Sequence, residues 1–174
     1  MVPPFHFGSH YSSPGSVLQY LIRLYPYSVG NKRLQGGHFD LADRLFYSLA
    51  ATYQVVCTDL SDVREVTPEF YYLPEIFLNR DCLDLGVTQK GLRVDDVILP
   101  PWASSPYDFV RKNRAALESD HVSAILHKWI DLIFGFKQRG KKAEKALNMY
   151  YYMTYEDSVD LDGLEDHLRV ATEA

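Results

Sequence analysis

The 174-residue chain reads as a mostly α-helical domain with one possible short hairpin. Three observations predict this. Apolar residues recur at helical spacing through residues 119–140. Serine-proline pairs at Ser13-Pro14 and Ser105-Pro106 stand before two further apolar-periodic stretches, where a cap followed by a first-turn proline starts a helix. Strand-like alternation shows in residues 85–101, loosely, around a turn at Lys90-Gly91.

The chain opens on an aromatic cluster, Phe5, Phe7 and Tyr11, with no polar lead-in. Ser13 and Pro14 start a helix carrying Val17, Leu18, Leu21, Ile22 and Leu24, and Pro26 ends it. Residues 30–37 read as a polar connection. Asp40 is placed as the cap of a helix reaching Val56, with Leu45, Leu49 and Tyr53 on one side. Residues 62–77 contain Pro68 and Pro74, which forbid one continuous regular helix. The hairpin follows. Ser105, Pro106 and Asp108 then supply a cap, a first-turn proline and an acid three residues on, for a helix to Leu117. Further helices are expected over residues 142–152 and 160–174.

The longest periodic stretch is residues 119–140. Val122, Ile125, Leu126, Trp129 and Ile133 share one face, and Ile130, Leu132 and Phe134 widen it. Only Asp120, Ala124, His127, Lys128 and Asp131 are left as a polar strip. So narrow a strip predicts a helix running through the interior, with Leu126, Trp129, Ile130 and Ile133 as structural core. Ser119 is its N-cap and Gly135 its stop, with Lys137 and Arg139 beyond the negative end of the helix dipole.

Periodicity accounts for a helix there, but not for the particular residues W-I-D-L-I-F-G followed by K-Q-R-G. Residues 122–140, V-S-A-I-L-H-K-W-I-D-L-I-F-G-F-K-Q-R-G, resemble the hallmark segment of the BEACH domain. So do H-F-G-S-H-Y-S-S-P-G at 6–15, L-Q-G-G-H-F-D-L-A-D-R-L-F at 34–46, D-V-R-E-V-T-P-E-F-Y-Y-L-P-E at 62–75 and V-D-D-V-I-L-P-P-W-A at 94–103. These segments stand in family order over most of the chain from Pro4 to Leu161, and the match weakens at Tyr27 to Arg33 and after Asp162. The resemblance implies a BEACH-type fold, helices around a core with irregular extended segments, which suits the prolines of 62–77. It implies a non-enzymatic scaffold in vesicle trafficking, lysosome-related organelle biology, autophagy or signalling. Its implied partners are a PH-like domain of the same full-length protein, packed from upstream, and other trafficking proteins; WD-repeats lie downstream. In the family the domain begins upstream of Met1 and continues past Ala174, so residues 1–174 are expected to be a single BEACH domain fragment.

Composition narrows the classes independently. Hydrophobic residues make up 47% and aromatics 14%, which excludes a disordered chain. The thirteen tyrosines call for a core whose rings have hydroxyl partners at its margin. A net charge of −5 argues against nucleic acid as the main partner. Cys57 and Cys82 lack metal-ligand spacing and read as free thiols. Neither a membrane-spanning run nor a secretory signal is found, so a soluble, cytoplasmic domain is expected, with peripheral membrane association open to it.

Candidate chemistry is sparse. Residues 135–142, G-F-K-Q-R-G-K-K, reproduce the glycine and lysine spacing of a phosphate-binding loop. Lys142 stands where Ser or Thr must ligate magnesium, however, and a helix precedes the loop instead of a strand. Its basic residues Lys137, Arg139, Lys141 and Lys142 are read as a loop that completes the helix end, and alternatively as a partner-binding edge or a membrane-surface edge. Asp160-Leu161-Asp162-Gly163 fails as a calcium loop, because Ser158 and Arg169 occupy its two anchoring ends. The histidines lack a third ligand. His127, four before Asp131, is placed for a local ion pair or hydrogen bond. Asp95-Asp96 reads as a solvated turn, and no nucleophile motif is present. The sequence therefore predicts no catalytic residue, metal or cofactor, although a hydrolase triad assembled from distant positions stays open. Phe5, Phe7, Tyr11, Lys137 and Arg139 are the candidate partner-binding residues.

Overall fold

Prolines and caps set where this chain is regular. The computed structural model describes residues 4–6, 14–59, 62 and 64–155. Among them are six α-helices: α1 (Pro14–Tyr20), α2 (Tyr27–Leu34), α3 (Leu49–Thr58), α4 (Pro106–Leu117), α5 (Asp120–Ile133) and α6 (Gly140–Lys145). Four short 3-10 turns join them, at Ala42–Arg44, Pro68–Tyr71, Pro74–Phe77 and Tyr152–Thr154. Extended pairing among the described residues is limited to two isolated bridges. The chain is mostly helical, as expected. It divides into two compact units, Ser12–Ala124 and Met1–Tyr11 with Ile125–Ala174, the division falling inside α5.

In the unit Ser12–Ala124 the core is aromatic. Tyr20 meets Phe46 and Phe70 edge-on at 5.2 and 5.0 Å, Phe70 meets Phe77 at 5.4 Å, and Phe77 meets Phe109 at 5.0 Å. Edge-to-face contacts of this kind contribute beyond the buried area of the rings. Leu21, Ile76, Val97 and Val110 fill the space around them. A second cluster gathers Ile22, Ala42, Leu45, Leu85 and Val94. Pro68 and Pro74 each open a 3-10 turn, and both turns pack against α4. The prolines thus deliver Phe70, Ile76 and Phe77 to the core from irregular backbone.

Extended segments run between these turns without forming a sheet. Val97 N–H donates to the Phe77 carbonyl at 2.8 Å, Ile98 N–H to Tyr47, and Leu49 N–H to Ile98. The hairpin shrinks to one antiparallel bridge, Val87 with Arg93, closed by Thr88 N–H to the Leu92 carbonyl at 2.8 Å. Gly91 turns that corner at φ +81°, a conformation that favours glycine.

Several expectations need correction. Residues 30–34, read as part of the polar connection 30–37, belong instead to α2, which packs against α1. Its polar face misled the reading, yet Ser28 and Asn31 are buried. The helix expected from Asp40 begins later. Ser48 is its cap, with Oγ accepting from Ala51 N–H at 3.3 Å, while Asp40 pairs with Arg44 across a 3-10 turn. The helix expected over 142–152 stops at Lys145, where Leu147 takes φ +55°. Residues 160–174 and the Ser13 cap lie outside the described residues.

Asp95-Asp96 is not merely a solvated turn. Asp96 accepts from Asn79 N–H at 2.6 Å, and Asp95 from the Asn79 amide at 2.7 Å. The Asp95 carbonyl receives two bonds from Arg23, at 2.8 and 2.6 Å, and Arg23 gives a third to the Phe46 carbonyl at 2.6 Å. Arg23 is 1% exposed. Burial pushes its pKa down to about 10, against the pull of Asp96 and Asp95, so it stays charged at neutral pH.

The start of α4 follows the sequence reading. Ser105 Oγ accepts from Asp108 N–H at 3.1 Å. Lys112, with Ser104 and Arg111 behind it, holds the Asp108 carboxyl well below the usual carboxylate range. A depressed carboxyl stabilises the fold fully above its ordinary value of 3.8, and that contribution is lost as pH falls from there through the depressed value of the folded state. Asp108→Asn should therefore flatten the acid limb of the stability curve below roughly pH 4, read by urea titration at several pH values.

Candidate interaction surface

The sequence-predicted residues Phe5, Lys137 and Arg139 belong to the unit of Met1–Tyr11 and Ile125–Ala174. Phe7 and Tyr11 lie outside the described residues. Phe5 rests edge-on against Tyr151 at 5.2 Å, and the neighbouring His6 N–H donates to the Met149 carbonyl at 2.8 Å. Residues 148–151 are thus a hub. Two residues before Tyr150, the Asn148 amide donates to the Leu132 carbonyl at 2.8 Å and the Lys137 carbonyl at 3.0 Å. Phe5 and the basic loop are tied into one unit through this segment. The sequence reading missed Asn148; its only local signal was an asparagine just past a helix end, where polar side chains satisfy stray carbonyls.

Helix α5 starts as expected, with Ser119 Oγ accepting from Val122 N–H at 3.3 Å. It ends at Ile133, and Gly135 explains why glycine is needed just beyond. A Cβ there would lie 2.6 Å from Asp131 Cα and 2.8 Å from Asp131 Oδ1. Lys137 N–H then donates to the Asp131 carbonyl at 2.9 Å, turning the chain off the helix axis.

The core assignment for α5 is overturned. Leu126 is 44% exposed, Trp129 48%, Ile130 48% and Ile133 54%, and no residue of α5 is buried. Periodicity fixes a helix and its apolar stripe, but it cannot say whether the facing element lies within the same chain. Positions 126, 129, 130 and 133 follow the i, i+3, i+4, i+7 spacing of a docking face. Phe134, 83% exposed, continues the stripe at its C-terminal end.

Beyond it lies the basic edge. Lys137, Arg139, Lys141, Lys142 and Lys145 fall within nine residues, with Glu144 the only carboxylate among them. None of the five is among the ion pairs of the described residues; Lys137 Nζ stands 5.5 Å from the Phe136 ring. The loop follows a helix and leads into the single turn and a half of α6, unlike a phosphate-binding loop.

The other unit offers a groove of about 550 Å³ walled by Leu49, Tyr53, Val56, Val66, Tyr71 and Trp102. Among the described residues no group of three or more His, Cys, Asp or Glu is placed to hold a metal. Cys57 and Cys82 are exposed free thiols. No helix of the described residues is long and apolar enough to cross a membrane. The calcium-like residues 158–169 lie outside the described residues.

A mostly helical architecture, with aromatic residues delivered to the core by proline-opened turns and by extended segments that form no sheet among the described residues, defines the class. The family model described as Beige/BEACH domain matches residues 1–174, and the chain belongs to that family. It is 59% identical over 168 residues to BEACH domain-containing protein A2 of Arabidopsis thaliana, covering 95% of this chain and 5% of that protein. Protein SPIRRIG of the same plant is 58% identical over 168 residues, with the same coverage of each chain. BEACH domain-containing protein lvsD of Dictyostelium discoideum is 53% identical over 173 residues, covering 98% of this chain and 6% of that protein. The chain thus spans about a twentieth of the length of these curated relatives.

Proposed function

We propose that this chain is part of a non-catalytic scaffold for membrane trafficking, working by protein-protein contact on the cytoplasmic face of vesicles, lysosome-related organelles or autophagic membranes. The observation that supports it is the stripe Leu126, Trp129, Ile130 and Ile133, about half exposed on a helix patterned for burial. Its occupant is another part of the same full-length protein, the upstream segment that carries the PH-like module implied by the family. The relatives are long enough to supply such a segment many times over. Once the stripe is closed, the remaining surface holds other trafficking proteins.

The test is to titrate the separately produced upstream segment onto the 174-residue chain by calorimetry. Saturable binding with a negative heat-capacity change is expected, since apolar surface is being buried. Ile130→Asp, on the exposed stripe, should abolish it without unfolding the chain. Absence of binding, or binding unaffected by Ile130→Asp, would contradict the proposal.

A further inference from the structure

We infer that the edge formed by residues 134–147 docks on an anionic lipid surface. Three observations meet there. First, the local charge is opposite to that of the whole chain: Lys137, Arg139, Lys141, Lys142 and Lys145 face one carboxylate, Glu144, in a chain of net charge −5. Second, these cations form no ion pair among the described residues, and Lys137 instead lies over the Phe136 ring. Arg139, Lys141, Lys142 and Lys145 are exposed. Third, large apolar side chains stand among them, Phe134 at 83% and Phe136 at 59% exposure, with Leu147 at 47%.

Cations interleaved with exposed rings suit the boundary between headgroups and acyl chains, where the rings enter and the cations stay with the phosphates. Four of the cations are lysines on flexible stems, which follow a diffuse negative plane; an acidic protein partner is better met by the fixed fork of arginine. The loop backbone is held, because Asn148 grips the Leu132 and Lys137 carbonyls and Lys137 N–H grips Asp131. The backbone that carries Phe134 and Phe136 therefore does not need to be ordered on binding, which removes part of the entropic cost of docking.

This contact adjoins the α5 stripe at Phe134 but rests on the cations of residues 137–145, and its test reads a different quantity from closure of the stripe. The purified 174-residue chain is sedimented with phosphatidylcholine vesicles, with and without phosphatidylserine, at low and high salt. Binding is expected only with phosphatidylserine and should fall steeply with salt. Lys141→Glu with Lys142→Glu should weaken partitioning at least roughly 25-fold, at about fivefold for each cation lost. Phe134→Ser should weaken it as well, and because its side chain is exposed the variant keeps the parent melting curve. A poly-glutamate peptide serves as the protein-like arm. No binding to phosphatidylserine vesicles would overturn the inference. So would binding that is indifferent to Phe134→Ser and matched by poly-glutamate, which would assign the edge to an acidic protein.

Discussion

Phe77→Ala should destabilise the chain by roughly 3–5 kcal/mol, a large part of what a domain of this size holds in reserve. Phe77 is fully buried at the end of a proline-opened turn. It meets three rings, Phe46, Phe70 and Phe109, so its removal leaves a cavity that irregular backbone on one side and α4 on the other must collapse to fill. Phe77→Leu refills part of the space and should cost distinctly less. Trp129→Ala is the informative comparison. Although tryptophan is the larger residue, its half-exposed place on α5 should hold the loss to about 1 kcal/mol in this chain. Urea unfolding of the three variants checks the order. Equal losses for Phe77→Ala and Trp129→Ala would put Trp129 back in the core.

Arg23→Met should be the second severe change. Methionine replaces most of the volume but none of the donors, so the Phe46 and Asp95 carbonyls lose their bonds from Arg23. Each buried acceptor left unpaired costs about 1–3 kcal/mol. The carboxylates of Asp95 and Asp96 also lose the charge that faces them. Arg23→Lys should not rescue the loss, because one ammonium cannot reproduce a fork that reaches two carbonyls from three nitrogens. The measurement is the midpoint of chemical unfolding with the slope unchanged. An unfolding free energy for Arg23→Met, taken as midpoint times slope, within about 0.5 kcal/mol of the parent would show the buried network to be incidental.

Local signals carried the sequence reading furthest. Ser105 and Pro106 start α4 as read, and Pro68 and Pro74 break residues 62–77 into two turns. Where the physics is tertiary, the reading failed. The polar face of α2 concealed its packing on α1, and nothing local distinguishes Asp40 from Ser48 as a cap until the extended backbone of Leu45 is seen. Arg23 looks like an ordinary surface cation in a helical stretch; only the folded chain brings residue 95 to it. The pattern of α5 was read correctly as a wide apolar face, but burial depends on what lies opposite. Among the candidate residues, Phe5, Lys137 and Arg139 do fall in one unit, while Asn148, which organises their surroundings, has no distinctive sequence signature.

The central claim is that the α5 stripe is open in this chain and closed by an upstream segment of the full-length protein. Trp102→Phe leaves Trp129 as the sole tryptophan of the chain, so its fluorescence reports on the stripe alone. The account predicts a water-exposed emission readily quenched by iodide in the chain by itself. Joining the upstream segment should shift the emission to the blue and shield it from iodide. A Trp129 already shielded in the isolated chain, or one that stays equally quenchable in the longer protein, would contradict the account.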